Sequence, residues 1–400
     1  MNDQALTPKI VIMGGGGHVG LPLGIAFASR GLDVTLFDID DATVDTINDG
    51  ELPFREPGAT PLLKRARADG SLRATTDPAS IAEADIVVVV VGTPIDEHLN
   101  PDPWEVRRAI AHISDHLRNG QLLVLRSTVF PGVTALVEDL MAEKGLDIDV
   151  AFCPERIAEG NAMSELFELP QIISGRSGAA TKRAEILFRH LTDRIVLMEP
   201  EEAELAKLFT NTWRYIKFAI ANQLYMIAND YGLDYDKIRT GLVDGYPRAA
   251  DLPRAGFAAG PCLFKDTMQL AASNDNQFML GHAAMMVNEG LPQYIVSQIE
   301  RTTDLRTATV GILGMAFKGE SDDIRSSLSY KLKRLLRFRG GSVLCTDPYV
   351  EVDPDLVPLD EVLDRADFLI IGAPHKIYAD IETDLRVVDV WNLLGDGARV

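Results

Sequence analysis

The sequence predicts an α/β protein with two Rossmann-like, doubly wound domains joined by a central helical domain that contains one long helix. Three observations support this fold class. A strand, a glycine-rich turn, a helix and a second strand follow one another near the amino-terminal end. The same order of elements returns from residue 307, and the stretch between the two units is helical in character. We therefore expect domains over residues 1–197, 198–303 and 304–400.

The first βαβ unit occupies residues 9–38. The β-rich run KIVIM precedes the turn GGGGHVG, the helical stretch LPLGIAFASRG and the second β-rich run DVTLFD. Further runs of Val, Ile and Leu follow at 84–94, 121–128 and 147–156, and each ends in a polar or proline-containing loop. Near-continuous apolar runs indicate strands buried on both faces, so we expect a parallel, doubly wound sheet.

A long helix is predicted over residues 201–229. This segment has no Gly or Pro, and its apolar residues recur at helical spacing. Two glutamates lie in its first turn, where acidic side chains favour a helix N-terminus. The segment is therefore expected to form the main element of the helical domain.

The second α/β unit begins with strand character at 307–319. A basic helix SSLSYKLKRLLRFRGG and the strand SVLCTDP follow, and this strand ends at Asp347 as the earlier one ends at Asp38. The last predicted strands lie at 366–374 and 385–391. The repeated order of elements predicts a second sheet of the same kind.

Composition and charge exclude several classes of protein. The 400 residues are 46% hydrophobic and 24% charged, which is typical of a globular chain with two or three domains. A net charge of -20 opposes attraction to nucleic acid or to an anionic membrane surface. The sequence has neither a basic and apolar secretory signal at its start nor 18 consecutive apolar residues, so we expect a cytoplasmic protein.

The three cysteines are Cys153, Cys262 and Cys345. They are far apart and form no CxxC pair, so we expect reduced thiols and no metal site. A free cysteine is usually a small buried hydrophobic residue. Cys262 differs from this pattern because it lies between small residues and a Lys-Asp pair in AGFAAGPCLFKD.

A dinucleotide-binding motif is formed by Gly15, Gly17 and Gly20, which make a GxGxxG between strand and helix. The glycines allow a tight turn and close backbone approach, while the helix N-terminus attracts a pyrophosphate. Asp38 lies 21 residues beyond Gly17, at the end of the next strand, where a carboxylate can accept hydrogen bonds from a ribose diol. That carboxylate would repel a 2′-phosphate, so we expect NAD rather than NADP. The alternative is a tight turn that binds no ligand.

Weaker candidates come from three other places. Lys207 and Asn211 are four residues apart on the predicted long helix, so both side chains point to one side, although a solvated surface pair has the same spacing. Thr128 and Glu155 each follow a predicted strand, at the edge where doubly wound sheets bind ligands. Ordinary loop positions are the alternative for these two residues.

The first turn of the second α/β unit contains Lys318 and Arg325. By the same argument these two cations predict another phosphate site, with ordinary surface charges as the alternative.

Taken in order, these motifs resemble the nucleotide-sugar 6-dehydrogenases, the family of UDP-glucose, UDP-N-acetylhexosamine and GDP-mannose dehydrogenases. The resemblance covers nearly the whole chain. Its motifs are GGGHVGLPL with Asp38, EPG at 56–58, VGTP at 91–94, STVFPG at 127–132, PERIAEG at 154–160, AELAKLFTNTWR at 203–214, GPCLFKD at 260–266, GMAFKGESDDIRSS at 314–327, DPYV at 347–350 and His375. The resemblance implies an NAD domain, a central domain that forms a homodimer through its long helix, and a C-terminal domain that binds a UDP-sugar.

The implied reaction is the NAD-dependent oxidation of C6 of a nucleotide-diphosphate sugar, from alcohol to aldehyde to carboxylate. Such an enzyme would supply a UDP-uronic acid for polysaccharide biosynthesis and would reduce two NAD per sugar. An aldehyde does not easily give up a hydride, whereas its adduct with a thiolate does. Cys262 would therefore form a thiohemiacetal and then a thioester, which water hydrolyses. Lys265 or a helix N-terminus can favour the thiolate.

The resemblance also implies roles for single positions. In the catalytic set, Cys262 is the nucleophile, Asp266 assists proton transfer or orients water, Lys207 and Asn211 steady the C6 oxygen, Glu155 is the general base for hydrolysis and Thr128 holds a water. The cofactor positions are Gly15, Gly17, His18, Val19, Gly20, Asp38, Thr93, Thr128 and Arg325. The substrate positions are Glu155, Arg156, Glu159, Lys207, Asn211, Lys318 and Arg248, the last reaching a substrate across the dimer.

The loop before the nucleophile departs from the family pattern. It contains Phe257, Ala258, Ala259 and Pro261, where many relatives have more glycine and a His or Ser directly before the cysteine. In the family this loop usually lets its backbone approach the sugar, so the side chains present here leave the identity of the sugar open. Arg248 precedes Cys262 by fourteen residues, which resembles the branch that acts on N-acetylated or mannose-type sugars. UDP is favoured over GDP through the resemblance alone.

Two other classes of protein share part of this pattern. A β-hydroxyacid dehydrogenase has the same cofactor domain and a helical middle, but it would leave Cys262 and the second α/β unit unexplained. A non-catalytic nucleotide-sugar-binding protein would keep both binding domains, but it would have no reason to keep Cys262, Lys207, Asn211 and Asp266 together.

Overall fold

The structure is a computed structural model that describes residues 8–93, 95–96, 102, 104–398 and 400. Pro94, the last residue of the VGTP motif, lies outside the described residues. The chain forms two compact units, Met1–Phe209 and Thr210–Val400. The boundary between them falls inside the long helix.

The first unit is built on an eight-stranded sheet. Its strands are β1 (Lys9–Met13), β2 (Asp33–Phe37), β3 (Leu72–Thr75), β4 (Ile86–Val89), β5 (Leu122–Leu125), β6 (Asp149–Phe152), β7 (Gln171–Gly175) and β8 (Ile195–Leu197). Its helices are α1 (Gly20–Ser29), α2 (Asp41–Asn48), α3 (Ala59–Ala68), α4 (Ser80–Glu83), α5 (Glu105–Ile113), α6 (Val133–Glu143), α7 (Ala162–Glu168) and α8 (Gly178–Phe188), with a 3-10 turn at Ser114–His116.

The strand order is β3-β2-β1-β4-β5-β6-β7-β8, which is the predicted doubly wound arrangement. The expected parallel pairing holds from β3 to β6, but β7 runs antiparallel to β6. The prediction of a wholly parallel sheet was wrong at this point. A long-range contact marks the reversal: Gln171, which begins β7, accepts a hydrogen bond from Arg126, the residue that directly follows β5. β7 therefore starts at the edge of the sheet where β5 ends, and it runs in the opposite direction to β5 and β6.

The core of the first unit confirms that its central strands β1, β4 and β5 are buried on both faces. Ile10 and Ile12 point into one apolar cluster, while Val11 between them points into another. Alternate side chains of β4 and β5 divide in the same way. The near-continuous apolar runs in the sequence are explained by this double burial.

The predicted long helix is α9 (Pro200–Asp230), which is 31 residues long. The remaining helices of the second unit are α10 (Tyr235–Val243), α11 (Leu263–Ser273), α12 (Met279–Ile299), α13 (Leu328–Phe338) and α14 (Leu359–Arg365), with a 3-10 turn at Lys376–Tyr378. Its strands are β9 (Thr309–Leu313), β10 (Ser342–Thr346), β11 (Phe368–Ile371) and β12 (Arg386–Val388).

The second sheet has the order β10-β9-β11-β12 and is parallel throughout its four described strands. One face packs on the helices through a cluster that includes Tyr225, Ile295 and Ile312. The opposite face packs on α14 through Val362 and Leu369. The repeated βαβ unit that the sequence predicted is thus present. No helix in the described part of the chain has the length and hydrophobicity needed to cross a lipid bilayer.

Candidate active site

The glycine-rich turn between β1 and α1 is shaped by close packing at two of its three motif glycines. A Cβ atom on Gly15 would lie 2.7 Å from the Leu36 Cβ, and one on Gly20 would lie 2.3 Å from the Gly14 carbonyl oxygen. At Gly17 the nearest atom would be 3.7 Å away, so this position faces open space. The turn therefore packs tightly on its inner side and leaves backbone accessible at the start of α1, as a pyrophosphate requires.

Asp38 lies at the end of β2, where a ribose-binding carboxylate is expected. Its Oδ2 accepts a hydrogen bond from the Gly16 backbone N–H at 2.8 Å, and its Oδ1 accepts one from Ile39 at 2.8 Å. The carboxylate is thus fixed beside the glycine-rich turn. His18, another predicted cofactor position, stacks on Phe54 with ring centroids 3.9 Å apart, and Val19 precedes the first residue of α1. The residues of this turn fit an NAD molecule.

The loops after β4 and β5 are joined directly. Thr93 Oγ1 donates to the Thr128 carbonyl oxygen at 2.7 Å. Ser127 Oγ accepts from the Val91 N–H and donates to the Val91 carbonyl, both at 2.8 Å. Two predicted positions, Thr93 and Thr128, are therefore brought together at the carboxyl edge of the sheet.

Glu155 is buried and heavily hydrogen-bonded. Its Oε1 accepts from the backbone N–H groups of Arg156 at 2.6 Å and Ile157 at 3.0 Å, and its Oε2 accepts from the Arg126 guanidinium. A carboxylate has about four acceptor positions, so these bonds leave one on Oε2. A general base at Glu155 would have to use that position. Arg126 also donates to the Cys153 carbonyl oxygen at 3.0 Å, which joins the ends of β5 and β6.

The rest of the PERIAEG segment is tied to other parts of the first unit. The Arg156 guanidinium donates to the Pro170 carbonyl oxygen, and burial lowers the pKa of Arg156. The carboxylate of Glu56, in the EPG motif, accepts from the N–H groups of Gly160 at 2.8 Å and Ala162 at 2.9 Å. Glu56 therefore fixes the backbone just before α7 and at its first residue. This segment directly follows the predicted substrate residue Glu159.

The beginning of α9 is fixed by a residue that sequence reasoning missed. Glu204 accepts hydrogen bonds from the N–H groups of Gly132 at 2.6 Å and Thr134 at 2.8 Å, and from the Thr134 hydroxyl at 2.6 Å. These bonds tie α9 to the start of α6. Lys207, one turn further along α9, is 8% exposed. A buried lysine argues against the solvated surface pair considered from the sequence.

In the second unit, three predicted catalytic residues come together. Cys262 has an exposed thiol and immediately precedes α11. Asp266 is fully buried one turn later, and its Oδ2 accepts a hydrogen bond from Asn211 Nδ2 at 2.5 Å. Lys265 lies 2.6 Å from Asp266 Oδ1. Lys265 is thus engaged with a carboxylate, whereas Cys262 occupies the amino-terminal end of a helix, a position that favours a thiolate.

The loop before Cys262 directs its side chains inward. Phe257 and Ala258 are each 5% exposed, and the Phe257 ring meets the Trp391 ring edge-to-face at 6.2 Å. Gly256 has a φ of +150°, and a Cβ there would lie 2.2 Å from the Trp391 ring. Phe257 and Ala258, two of the side chains that stand where many relatives have glycine, therefore pack into the core of the second unit.

Two asparagines hold this loop, and neither was singled out from the sequence. Asn222 on α9 is fully buried; it accepts from the Gly256 N–H at 2.9 Å and donates to the Gly256 carbonyl at 3.0 Å. Asn288 on α12 accepts from Asn222 at 2.9 Å and donates to the Tyr215 carbonyl at 3.0 Å. The sequence did contain a signal for them, because each is an amide residue at a position of its helix where the apolar spacing predicts a buried side chain.

The remaining predicted positions lie in loops of the second unit. Lys318 and Arg325 are both in the segment between β9 and α13, and Arg325 pairs with Asp323 at 2.6 Å. Arg248 follows α10, with its guanidinium 5.5 Å from the centroid of the Tyr246 ring. No group of three or more His, Cys, Asp or Glu side chains suited to a metal ion occurs among the described residues.

Together the sheet, the glycine-rich turn and the thiol site define a dinucleotide-dependent dehydrogenase. Models of the UDP-glucose/GDP-mannose dehydrogenase family match residues 8–192 as its NAD binding domain, 201–290 as its central domain and 311–396 as its UDP binding domain. The chain belongs to this family. It is an NAD-dependent nucleotide-sugar dehydrogenase, whose class of reaction is oxidation at C6 to a uronic acid.

Relatives and solved structures agree with this assignment. The chain is 32% identical to UDP-N-acetyl-D-mannosamine dehydrogenase of Escherichia coli K12, over 92% of this chain and 94% of that protein. It resembles the structure of UDP-D-ManNAc dehydrogenase from Pyrococcus horikoshii, with a TM-score of 0.89 and 29% identity over 98% of this chain and 97% of that one. A UDP-glucose dehydrogenase from Pyrobaculum islandicum also gives a TM-score of 0.89, with 27% identity over 98% and 96%.

Proposed function

We propose that this chain catalyses the four-electron oxidation of C6 of a UDP-linked sugar, from alcohol to carboxylate, with Cys262 as the nucleophile. The observation that supports this most strongly is the exposed thiol at the start of α11, one turn from the hydrogen-bonded pair of Asn211 and Asp266. The names of several relatives favour UDP-N-acetyl-D-mannosamine as the sugar.

The first role of these residues is to stabilise charge on the C6 oxygen. An amide nitrogen carries two hydrogens, and the hydrogen bond to Asp266 uses one of those on Asn211. That bond orients the amide and leaves the second hydrogen for the substrate oxygen. Lys207, one helical turn away on α9, adds a positive charge in a buried position where electrostatic stabilisation is strong.

The second role is covalent. The Cys262 thiolate attacks the C6 aldehyde and forms a thiohemiacetal, whose carbon–hydrogen bond can release a hydride where that of an aldehyde cannot. Loss of the hydride leaves a thioester on Cys262. Water attacks the thioester carbon, the carbon–sulfur bond breaks, and carboxylate and thiolate are released. Asp266 orients or deprotonates that water, and the roles of Thr128 and Glu155 as water holder and base remain predictions.

The cofactor would be held by the glycine-rich turn and by Asp38, with Thr93 and Thr128 at the next two strand ends. When bound, NAD supplies the hydride acceptor for each of the two oxidations. The carboxylate at Asp38 has a place for a ribose diol and repels a 2′-phosphate, which favours NAD over NADP.

NADH yield is the test of this function. Purified protein is mixed with NAD and each of UDP-N-acetyl-D-mannosamine, UDP-N-acetylglucosamine, UDP-glucose, UDP-galactose and GDP-mannose, and NADH is counted per sugar consumed. We expect two NADH with one of the UDP-sugars. The Cys262→Ser variant should yield no carboxylate, and full turnover by this variant would refute the covalent mechanism. A yield of one NADH per substrate would indicate a simple alcohol dehydrogenase.

We also propose that the chain forms a homodimer through α9. Trp213, Ile220, Leu224 and Ile227 recur along one side of this helix and are 38–55% exposed. An apolar stripe of this kind on a long helix is typical of a protein interface. Within such a dimer, Arg248 would reach the partner's substrate, as the family resemblance implies.

The domain boundaries and the location of the protein are proposed on the same basis. The expected domains 1–197, 198–303 and 304–400 contain the three family matches at 8–192, 201–290 and 311–396. Cys153, Cys262 and Cys345 form no disulfide with one another, which supports the reducing environment of the cytoplasm.

A further inference from the structure

A loop in the second unit is held at both ends by a buried pair of side chains that the mechanism does not use. This loop comprises residues 314–320, directly follows β9, and contains Lys318. The pair consists of Asp347, which follows β10, and His375, which follows β11. Both side chains have no exposed surface, and His375 Nε2 lies 3.0 Å from Asp347 Oδ2.

The hydrogen bonds of this pair determine which ring nitrogen carries the proton. The Glu320 backbone N–H donates to His375 Nδ1 at 2.9 Å. Nδ1 must therefore be an acceptor, so the ring proton is on Nε2, which donates to Asp347. Asp347 fixes the tautomer of His375, and that tautomer is the one able to hold Glu320.

Asp347, the other member of the pair, forms hydrogen bonds with the opposite end of the loop. Asp347 Oδ2 accepts from the N–H groups of Met315 at 2.6 Å and Ala316 at 3.0 Å. Residues 315–316 are thus fixed by Asp347 and Glu320 is fixed by His375, with Lys318 between them. Glu320 has a φ of +60°, which is a conformation that costs a non-glycine residue free energy. The Glu320 carboxylate also accepts from the Lys376 N–H at 2.9 Å, so loss of the bond to His375 is expected to loosen the Glu320 backbone while the side chain stays attached.

A comparison with Asp38 shows that Asp347 has a different task. Asp38 and Asp347 occupy equivalent places in the two βαβ units, and each accepts an N–H from the loop after the first strand. Asp347 Oδ1 additionally accepts from Tyr349 at 2.9 Å and Val350 at 3.1 Å, which brings its hydrogen bonds to five with no exposed surface. Its carboxylate is therefore not available to a ribose diol. The second unit uses the carboxylate internally instead of presenting it to a dinucleotide.

We propose that His375 is a positioning residue, which sets the 314–320 loop so that the Lys318 ammonium meets the diphosphate of the nucleotide sugar. The inference rests on the proposed function. Lysine is a point charge on a flexible stem, so the place of its backbone decides where the charge can reach. A loop that is already fixed loses less conformational freedom when the diphosphate binds. His375 acts through Glu320 and the loop backbone and does not touch the substrate.

Two substitutions separate the two bonds of the imidazole. In His375→Asn the side-chain oxygen lies close to the position of Nδ1, so it keeps the acceptor for Glu320. In His375→Gln the terminal amide nitrogen lies close to the position of Nε2, so it keeps the donor to Asp347. If the hold on Glu320 is what positions Lys318, the Asn variant retains nucleotide binding and the Gln variant does not.

The experiment measures UDP binding to the full chain by calorimetry, together with KM and kcat for the sugar. We expect UDP affinity to fall by about tenfold in His375→Gln and in Lys318→Ala, and by less than about threefold in His375→Asn. KM for the sugar should rise in the same order. In the two His375 variants, kcat at saturating sugar and the affinity for NAD should stay within about twofold of the unmodified chain. A structural defect would instead lower kcat and NAD binding as well, or affect the Asn and Gln variants equally, and either result would overturn the proposal.

A measurement on the unmodified side chain covers the case in which the variants fold poorly. In protein labelled with 15N at histidine, the resonances of His375 should report a neutral ring with its proton on Nε2. A proton on Nδ1 would refute the arrangement. If the unmodified chain binds no UDP at all, the proposed function fails and this inference fails with it. Normal UDP binding that is unchanged in His375→Gln would reject the inference alone.

Discussion

Substitution of Asn222 by Ala should loosen the loop that precedes the proposed nucleophile, Cys262. The change removes the two hydrogen bonds to Gly256 and the one from Asn222 Nδ2 to Asn288. Because Gly256 is buried, its N–H and carbonyl would be left without those partners and without water. A buried polar group left unsatisfied costs about 1–3 kcal/mol, so two of them should destabilise the loop by about 2–6 kcal/mol.

The functional effect follows from the position of Cys262, six residues after Gly256. Catalysis depends on near-attack geometry, and a displacement of about 1 Å can lower a rate by about 100-fold. We therefore expect kcat/KM of Asn222→Ala to fall by roughly 10- to 100-fold. The affinity for NAD should not change, because the glycine-rich turn belongs to the first unit.

Hydrogen exchange is the appropriate assay because a chain of two units need not unfold in a single transition. The amides of residues 253–262 should exchange faster in Asn222→Ala, in proportion to the lost free energy of local opening. Gln223→Ala is the matched control, since its side chain is the next on α9 and is exposed. Unchanged exchange in this loop together with an unchanged kcat/KM in Asn222→Ala would refute the reasoning.

Three further predictions concern thiol reactivity, acid stability and assembly. Burial raises the pKa of Cys153 to about 12 and of Cys345 to about 11; at pH 8 about one in ten thousand and one in a thousand of these thiols are ionised. A disulfide reagent should therefore react with one thiol per native chain and with none in the Cys262→Ser variant. A count of two or three thiols in the native chain would contradict the structure. Burial alone would raise the pKa of Asp347, but hydrogen bonds from His375 and the backbone lower it below 3.8. The ionised Asp347 carboxylate therefore contributes its full stabilisation above this pH and loses it as the pH falls further. The difference in unfolding free energy between the unmodified chain and Asp347→Asn should be constant above about pH 5 and shrink below pH 4. A difference that grows on acidification would show that the pKa of Asp347 is not lowered by folding. Ile220→Glu should dissociate the dimer in light scattering at micromolar concentration, because it buries a charge in the apolar face of α9; a variant that remains dimeric would exclude α9 as the interface.

Much of the first unit was predictable because its signals are local. Gly15, Gly17 and Gly20 lie between an apolar run and a helix, and Asp38 follows the next run at the required distance, so strand, turn and helix could be derived from adjacent residues. The reversal of β7 was not predictable. It depends on a long-range contact between Gln171 and Arg126, 45 positions apart in the chain.

The candidate site shows the same division. Cys262 was singled out from its unusual neighbours, whereas its association with Asn211 and Asp266, which are hydrogen-bonded to each other, came only through a family resemblance. From the sequence, the side chain of Phe257 left the identity of the sugar open, because sequence does not tell on which side of a loop a side chain lies. In the structure it packs against Trp391, which is 134 residues away.

The sequence by itself determined the order of elements, the glycine-rich turn with an acidic residue at the end of the next strand, and the position of the proposed nucleophile. These depend on backbone preferences and hydrophobic patterns within about thirty residues, which is the length of one βαβ unit. The tertiary structure alone decided which polar groups are paired. Asn222 with Gly256, Glu204 with Thr134, and His375 with Glu320 are each separated by more than thirty residues. The physical reason is that a buried polar group must find a partner, and only the folded chain shows which partner is within reach.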